Sequence, residues 1–100
     1  MKRSVELSAR ALSYMTRGRD WYDRVRSGLG SQFVDAVVEA FRTAAEWPTS
    51  CPLVQSGVRT IRCKRFPYRV YFETHSSRID ILAVYHTARN PRLWRDPDRP

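Results

Sequence analysis

The stretch VRTIRCKRFPYRVYFET, residues 58–74, decides the fold. In its first half Ile61 and Cys63 alternate with charged residues, and in its second half Val70 and Phe72 alternate with charged or aromatic ones. A hydrophobic period of two is typical of β-strands that bury one face. The pattern predicts strands from Val58 to Phe66 and from Tyr68 to Thr74, with an apolar face on a core and a basic, aromatic face outside.

The chain before these strands has the hydrophobic period of helices. Residues 3–7 alternate as a short strand, and Ser8 can cap a helix whose apolar residues recur at helical spacing from Ala9 to Val25. A glycine-rich run at residues 27–31 predicts a turn into a second, antiparallel helix. That helix carries a wide apolar stripe from Phe33 to Ala45 and ends at the next proline.

The remaining segments complete an α+β fold. Residues 48–58 are rich in helix and strand breakers and predict a loop. The nearly continuous apolar run from Ile79 to Tyr85 predicts a central strand that is covered on both faces. We expect an N-terminal strand and an αα-hairpin packed on an antiparallel sheet, in the order β-α-α-β-β-β. One domain should span residues 1–95, and residues 96–100, which lack an apolar anchor, should form a flexible tail.

Charge sets the class of partner. The 100 residues carry a formal charge of +8, and 16 of the 18 cations are arginine, whose planar fork suits phosphate and carboxylate. No run of residues is apolar enough to cross a membrane. Cys51 and Cys63 are too few for a disulfide framework, so we expect a soluble protein of the reducing cytoplasm.

A basic binding surface is predicted within and after the decisive stretch. Cations interleaved with aromatic residues hold backbone phosphates and stack on bases. An edge strand that its cations keep from aggregating has the same composition, so this alternative remains open. The residues expected to contact a target or a protein partner are Arg59, Arg62, Lys64, Arg65, Tyr71, Arg92 and Trp94.

A titratable group stands at the end of the apolar strand. His86 follows that strand directly, and Arg89 comes soon after it. A histidine can act as general acid while Arg69 and Arg89 stabilise the charge that builds on a phosphate. The alternative is a structural histidine bonded to the backbone. Arg69, His86 and Arg89 are therefore candidate catalytic residues only if the protein is a nuclease.

Other chemistries find little support. The spacing of the cysteines and histidines matches no paired-ligand pattern for zinc. There is no glycine-rich phosphate loop and no nucleophile elbow. We expect no metal site and no cofactor.

Two blocks of sequence resemble the RelE/ParE superfamily of bacterial toxins. RFPYRVYF at residues 65–72 and ILAVYHTARNP at residues 81–91 resemble the C-terminal half of these toxins. WYD at residues 21–23 and GLGSQF at residues 28–33 resemble their helical hairpin. The resemblance implies the toxin half of a type II toxin-antitoxin pair, which an acidic antitoxin neutralises in a hetero-oligomer. The positive charge of the chain fits such a partner.

The resemblance leaves the target open. RelE-like members cut messenger RNA on the ribosome, whereas ParE-like members poison DNA gyrase on a nearly identical scaffold. Arg69 matches the strand arginine of RelE-type nucleases and Arg89 falls near a second one. However, Trp94 replaces their C-terminal tyrosine, Lys64 is alone where a lysine pair is expected, and the ending that starts at His86 resembles ParE-like members. Gyrase is thus the leading target, with ribosome-dependent messenger RNA cleavage and an inactive, antitoxin-binding relic as alternatives.

The resemblance and the charge together predict how the antitoxin binds. We expect an amphipathic antitoxin segment along the helical hairpin and a strand edge, with acidic residues that reach Arg62 and Arg65. Its affinity should fall as salt is added.

Overall fold

The structure, a computed structural model, describes residues 2–88. Its elements are β1 (Ser4–Leu7), α1 (Ala9–Val25), α2 (Leu29–Glu46), a 3-10 helix (Pro48–Ser50), β2 (Leu53–Gln55), β3 (Val58–Arg62), β4 (Tyr68–Thr74) and β5 (Arg78–His86). The predicted α+β class is confirmed. Three predicted site residues, Arg89, Arg92 and Trp94, and the predicted C-terminal tail lie outside the described residues.

The sheet is mixed, which corrects the predicted antiparallel sheet. Its strands lie in the order β1-β5-β4-β3-β2. β2 to β5 form an antiparallel meander, whereas β1 pairs in parallel with β5. The helical hairpin carries the chain from one edge of the sheet to the other, and the meander then returns to β1 with β5 running in the same direction.

The segment predicted as a loop holds an additional strand. Residues 48–58 contain the 3-10 helix and β2, which pairs with β3 through a shift in register between Leu53 and Gln55. Three residues are too few for a period of two to be recognised. In addition, β3 ends at Arg62 rather than at Phe66, because the chain turns through Arg65, whose φ is +71°.

Side-chain hydrogen bonds cap the start of each helix. Ser8 caps α1 as predicted: its Oγ accepts a hydrogen bond from Ala11 N at 3.0 Å and donates one to Leu82 O at 3.1 Å. α2 begins after a glycine with φ of +89° and is capped from the other helix, because Asp23 Oδ1 accepts from Gly30 N at 2.8 Å. The turn is therefore tied to both helices.

The sheet buries residues on both of its faces. The main core lies between the hairpin and the sheet and includes Phe33, Val70 and Ile81. A second, smaller cluster, which we call the open-face cluster, consists of Val58, Tyr71, Ala83 and Tyr85. β5 contributes to both, which confirms its prediction as a strand covered on both faces. Within residues 2–88, no helix is long and apolar enough to cross a membrane.

Candidate functional site

The face of the sheet opposite the main core carries two adjacent arginines. Arg62 of β3 and Arg69 of β4 are direct partners in the antiparallel register, and Arg69 is paired on its other side with Tyr85. Within residues 2–88, neither guanidinium forms a salt bridge or a side-chain hydrogen bond. We call these two residues the arginine pair; they leave two unneutralised positive charges side by side.

The arginine pair lies beside the open-face cluster. The rings of Tyr71 and Tyr85 are 5.9 Å apart, and Tyr14 of α1 meets Tyr85 edge to face at 4.9 Å. Tyr71 was predicted as an exposed contact, but it is only 6% exposed. Burial raises its pKa, which the positive charge of Arg69 partly opposes. The alternation of residues along β4 correctly placed Tyr71 on the same face as Arg69. Because the open-face cluster buries Tyr71 there, it packs beside Arg69 and does not itself present a contact surface.

The other predicted cations differ in how freely they face solvent. Lys64 and Arg65 are exposed on the turn between β3 and β4, where Arg65 Nη2 donates to Gln32 Oε1 at 2.9 Å. Arg59 is half-buried, and its Nη1 donates to Cys51 O at 2.7 Å. Arg59 therefore holds the segment before β2 against β3, and its guanidinium is already used by the fold.

Arg69 and His86 do not come together in the described part of the chain. His86 pairs across the strands with Tyr68, whose ring lies 5.3 Å away and packs against the main core. Because Arg69 follows Tyr68 directly along β4, its side chain leaves the opposite face of the sheet. His86 Nδ1 accepts from Ala88 N at 3.1 Å, which leaves Nε2 as the ring nitrogen available to donate.

His86 lines a cleft that the sequence did not reveal. This space, which we call the α1 cleft, has a volume of about 690 Å³ and lies between α1 and the ends of β4 and β5. Its walls are Tyr14, Arg17, Gly18, Asp20, Trp21, Tyr22, Arg24, Pro67, Tyr68 and His86. The spacing of Arg17, Trp21 and Arg24 could have indicated this cleft, because residues four and seven positions apart lie on the same face of a helix.

A group of metal-ligand type residues forms at the turn between β4 and β5. One ligand atom each from Glu73, His75 and Asp80 lies within 4.8 Å of the others. Both oxygens of Asp80 already have partners, because Oδ2 is 3.0 Å from His75 Nε2 and Oδ1 is 3.0 Å from Arg78 Nε. These contacts stabilise the turn, and spacing along the sequence missed the group because it forms across two strands.

The fold and its basic face define a small α+β protein suited to anionic partners. The model of one family, the ParE toxin of type II toxin-antitoxin system, parDE, matches residues 5–91. Since this match spans most of the sequence, the chain belongs to the ParE toxin family. It is a ParE-type toxin of a type II toxin-antitoxin system.

A solved structure supports the fold independently. The chain is similar to one described as "Chromosomal ParDE TA system from P. aeruginosa", with a TM-score of 0.74 and 20% sequence identity. The alignment covers 85% of this chain and 96% of that chain. At this identity the likeness establishes the fold alone. No curated protein matches the sequence.

Proposed function

We propose that this toxin inhibits growth by acting on DNA gyrase, and that an acidic antitoxin neutralises it by binding the arginine pair. The observation that carries the antitoxin proposal is the direct opposition of Arg62 and Arg69 without a neutralising group in residues 2–88. Like charges directly opposite in a sheet are unfavourable. A partner carboxylate would gain two charge-assisted contacts and relieve that repulsion at the same time.

The antitoxin surface extends from the arginine pair onto the neighbouring turn. Arg65 is exposed there and contacts Gln32 of α2, so the turn joins the basic face to the helical hairpin. An acidic segment that follows this path would reach Arg62, Arg69 and Arg65 in succession. Arginine suits this role because its fork binds carboxylates in a bidentate way.

The gyrase proposal is supported by the geometry of the nuclease candidates. General acid catalysis on a phosphate needs the acid and the charge-stabilising groups on the same reacting centre. In the described residues, the side chains of Arg69 and His86 leave opposite faces of the sheet. This arrangement favours binding over cleavage, and gyrase is the target that ParE-like action implies. Such a toxin acts in the cytoplasm, where the free thiols of Cys51 and Cys63 would stay reduced.

The antitoxin proposal is tested with the cognate antitoxin, which we expect to be a small acidic protein encoded next to this chain. Its dissociation constant should rise when salt is raised from about 0.1 M to about 0.5 M, because screening shortens the range of the interaction. The double variant R62Q/R69Q should bind at least about a hundredfold more weakly, since it loses two charged contacts that are each worth about 1.5 to 3 kcal/mol. R42Q, on the outer surface of α2, is the matched control and should bind as the unchanged protein does.

The target is tested with purified, antitoxin-free toxin. Added to gyrase, it should inhibit supercoiling and raise the amount of cleaved complex, and its expression should induce a DNA-damage response. Toeprinting on translating ribosomes is the comparison. Unchanged gyrase activity together with new cuts in the ribosomal A site, lost in R69A and H86Q, would replace this proposal with messenger RNA cleavage.

A further inference from the structure

Aromatic side chains line the α1 cleft, and one of them, Trp21, is unusually exposed to solvent. Trp21 is 53% exposed, although it is a large apolar side chain. Its ring is oriented by Tyr22, which it meets edge to face at 4.9 Å and 85°. Opposite α1, the cleft is bounded by Tyr68 and His86, whose rings meet edge to face. A planar group entering the cleft would thus find an oriented aromatic surface on which to stack.

The charge of the cleft is positive. Arg17 and Arg24 are seven positions apart on α1 and stand on either side of Trp21 along the same helix face. Arg17 Cζ lies 5.8 Å from the centre of the Tyr14 ring, which limits where its guanidinium can point. The carboxylate of Asp20 also lines the cleft, but Arg19 neutralises it, since Arg19 Nη2 lies 3.3 Å from Asp20 Oδ1.

The third feature is a hydrogen-bond donor, His86. His86 Nδ1 accepts from the backbone N–H of Ala88, which leaves Nε2 as the ring nitrogen that can donate. His86 is exposed at the cleft wall. The cleft therefore combines a stacking surface, two cations and a hydrogen-bond donor, and at about 690 Å³ it has the size of a small-molecule site.

We propose that the α1 cleft binds a nucleotide, with the base stacked on Trp21, the phosphate held by Arg17 and Arg24, and His86 Nε2 as an additional donor. Stacking on aromatic rings together with cations for the phosphate is how proteins hold nucleotides without reading their sequence. The nucleotide could be free or could be an unpaired residue of a single strand, since both offer a base and a phosphate. This site lies on the helix side of the sheet and does not depend on the proposed target.

The experiment is a fluorescence titration of the full chain. The sequence has three tryptophans, Trp21, Trp47 and Trp94. Adenosine monophosphate and the single-stranded pentamer dT5 should each quench the emission in a saturable way. Quenching should persist in W47F, the control with an equally exposed tryptophan, and disappear in W21F. Tighter binding of dT5 than of the free nucleotide would identify a single strand as the source; the reverse would identify a free nucleotide.

Charge variants separate the site from general attraction to a basic protein. R17Q and R24Q should each weaken binding by about tenfold, because each removes one charge-assisted phosphate contact. R42Q removes an exposed cation of α2 outside the cleft and should leave the affinity within about twofold of the original. Adenosine without phosphate should bind more weakly than the monophosphate and be insensitive to R17Q.

Several results would overturn the proposal. The first is that neither probe quenches the emission in a saturable way. The second is quenching that persists in W21F, and the third is a loss of binding affinity in R42Q that equals the loss in R17Q. Binding of an acidic peptide at the cleft in the absence of any nucleotide binding would assign the surface to a protein partner instead. If W21F does not fold, as judged by circular dichroism, the comparison of R17Q with R42Q decides alone.

Discussion

Arg62 and Arg69 oppose each other directly across β3 and β4, with no salt bridge to either within residues 2–88. A favourable cross-strand pair stabilises a sheet by about 0.2 to 1 kcal/mol, whereas two like charges in these positions destabilise it. The free toxin therefore carries a small electrostatic cost at the position where an acidic partner is proposed to bind.

Removing one charge of this pair should stabilise the free protein. R62Q is expected to raise the free energy of unfolding by about 0.5 kcal/mol at low salt, because it relieves the repulsion while Arg62 is exposed and contributes little packing. Urea denaturation in low salt and in about 1 M salt measures this, and the gain should vanish in high salt. R42Q loses the contact with Glu39 and should be neutral or slightly destabilising. A loss of stability in R62Q at low salt would contradict the argument.

Gly30 is needed for the close approach of the two helices. A Cβ at this position would lie 2.4 Å from the backbone oxygen of Arg19 and 2.7 Å from the Asp23 carboxyl that caps α2. G30A should therefore lower the free energy of unfolding by about 3 kcal/mol, although alanine favours helices more than glycine does. Thermal or urea denaturation measures the change. S31A, at the next and exposed position, should change stability by less than about 0.5 kcal/mol.

The sequence predicted best those elements in which the hydrophobic pattern repeats several times along one segment. Both ends of α1 and of β4 lie where the pattern placed them. The pairing of β1 with β5 was not predicted, because Ser4 and Arg78 meet only through the path of the whole chain. β2 was missed because three residues are too few to show a pattern. Its apolar residues, such as Leu53, are also exposed, so they do not alternate between a buried and an exposed face.

The candidate site was predicted in part for similar reasons. Alternation along one strand placed Arg69 on the open face, but it could not reveal that Arg62 would be its direct partner, since register depends on the turn between the strands. The expected phosphate chemistry grouped Arg69 with His86, whereas the cross-strand partner of His86 is Tyr68. The α1 cleft was missed because its walls come from segments that are distant in sequence.

Asp80 should make stability depend on pH in the acid range. The hydrogen bond from Arg78 holds the pKa of this carboxyl below its ordinary value of 3.8, helped by the charges of Arg78 and His75 and opposed by partial desolvation. A carboxyl whose pKa is lowered by folding stabilises the fold above its ordinary pKa, and that contribution is lost as the pH falls through the folded value.

The substitution D80N tests this directly. At about pH 6 it should destabilise the protein by less than about 1 kcal/mol, as expected for a partly exposed ion pair, and the difference should shrink toward zero by about pH 2.5. Urea denaturation at both pH values gives the comparison. D35N, which removes an exposed carboxylate of α2, is the control. A difference for D80N that stays constant with pH would mean that the ionised carboxylate is not its cause.

The two thiols should be inert while the protein is folded. Burial raises the pKa of Cys63 to about 11, which the charge of Arg62 only partly opposes, and the side chain is 2% exposed. Burial also raises the pKa of Cys51. Because the thiolate is the reactive form, at about pH 8 only about one Cys63 in a thousand would be reactive, and that one would be inaccessible.

Labelling with a thiol-disulfide reagent should therefore occur only through unfolding, with a rate that rises with urea. C51A and C63A let each thiol be followed alone, and rapid labelling of either variant without denaturant would show that the core opens locally at the remaining cysteine.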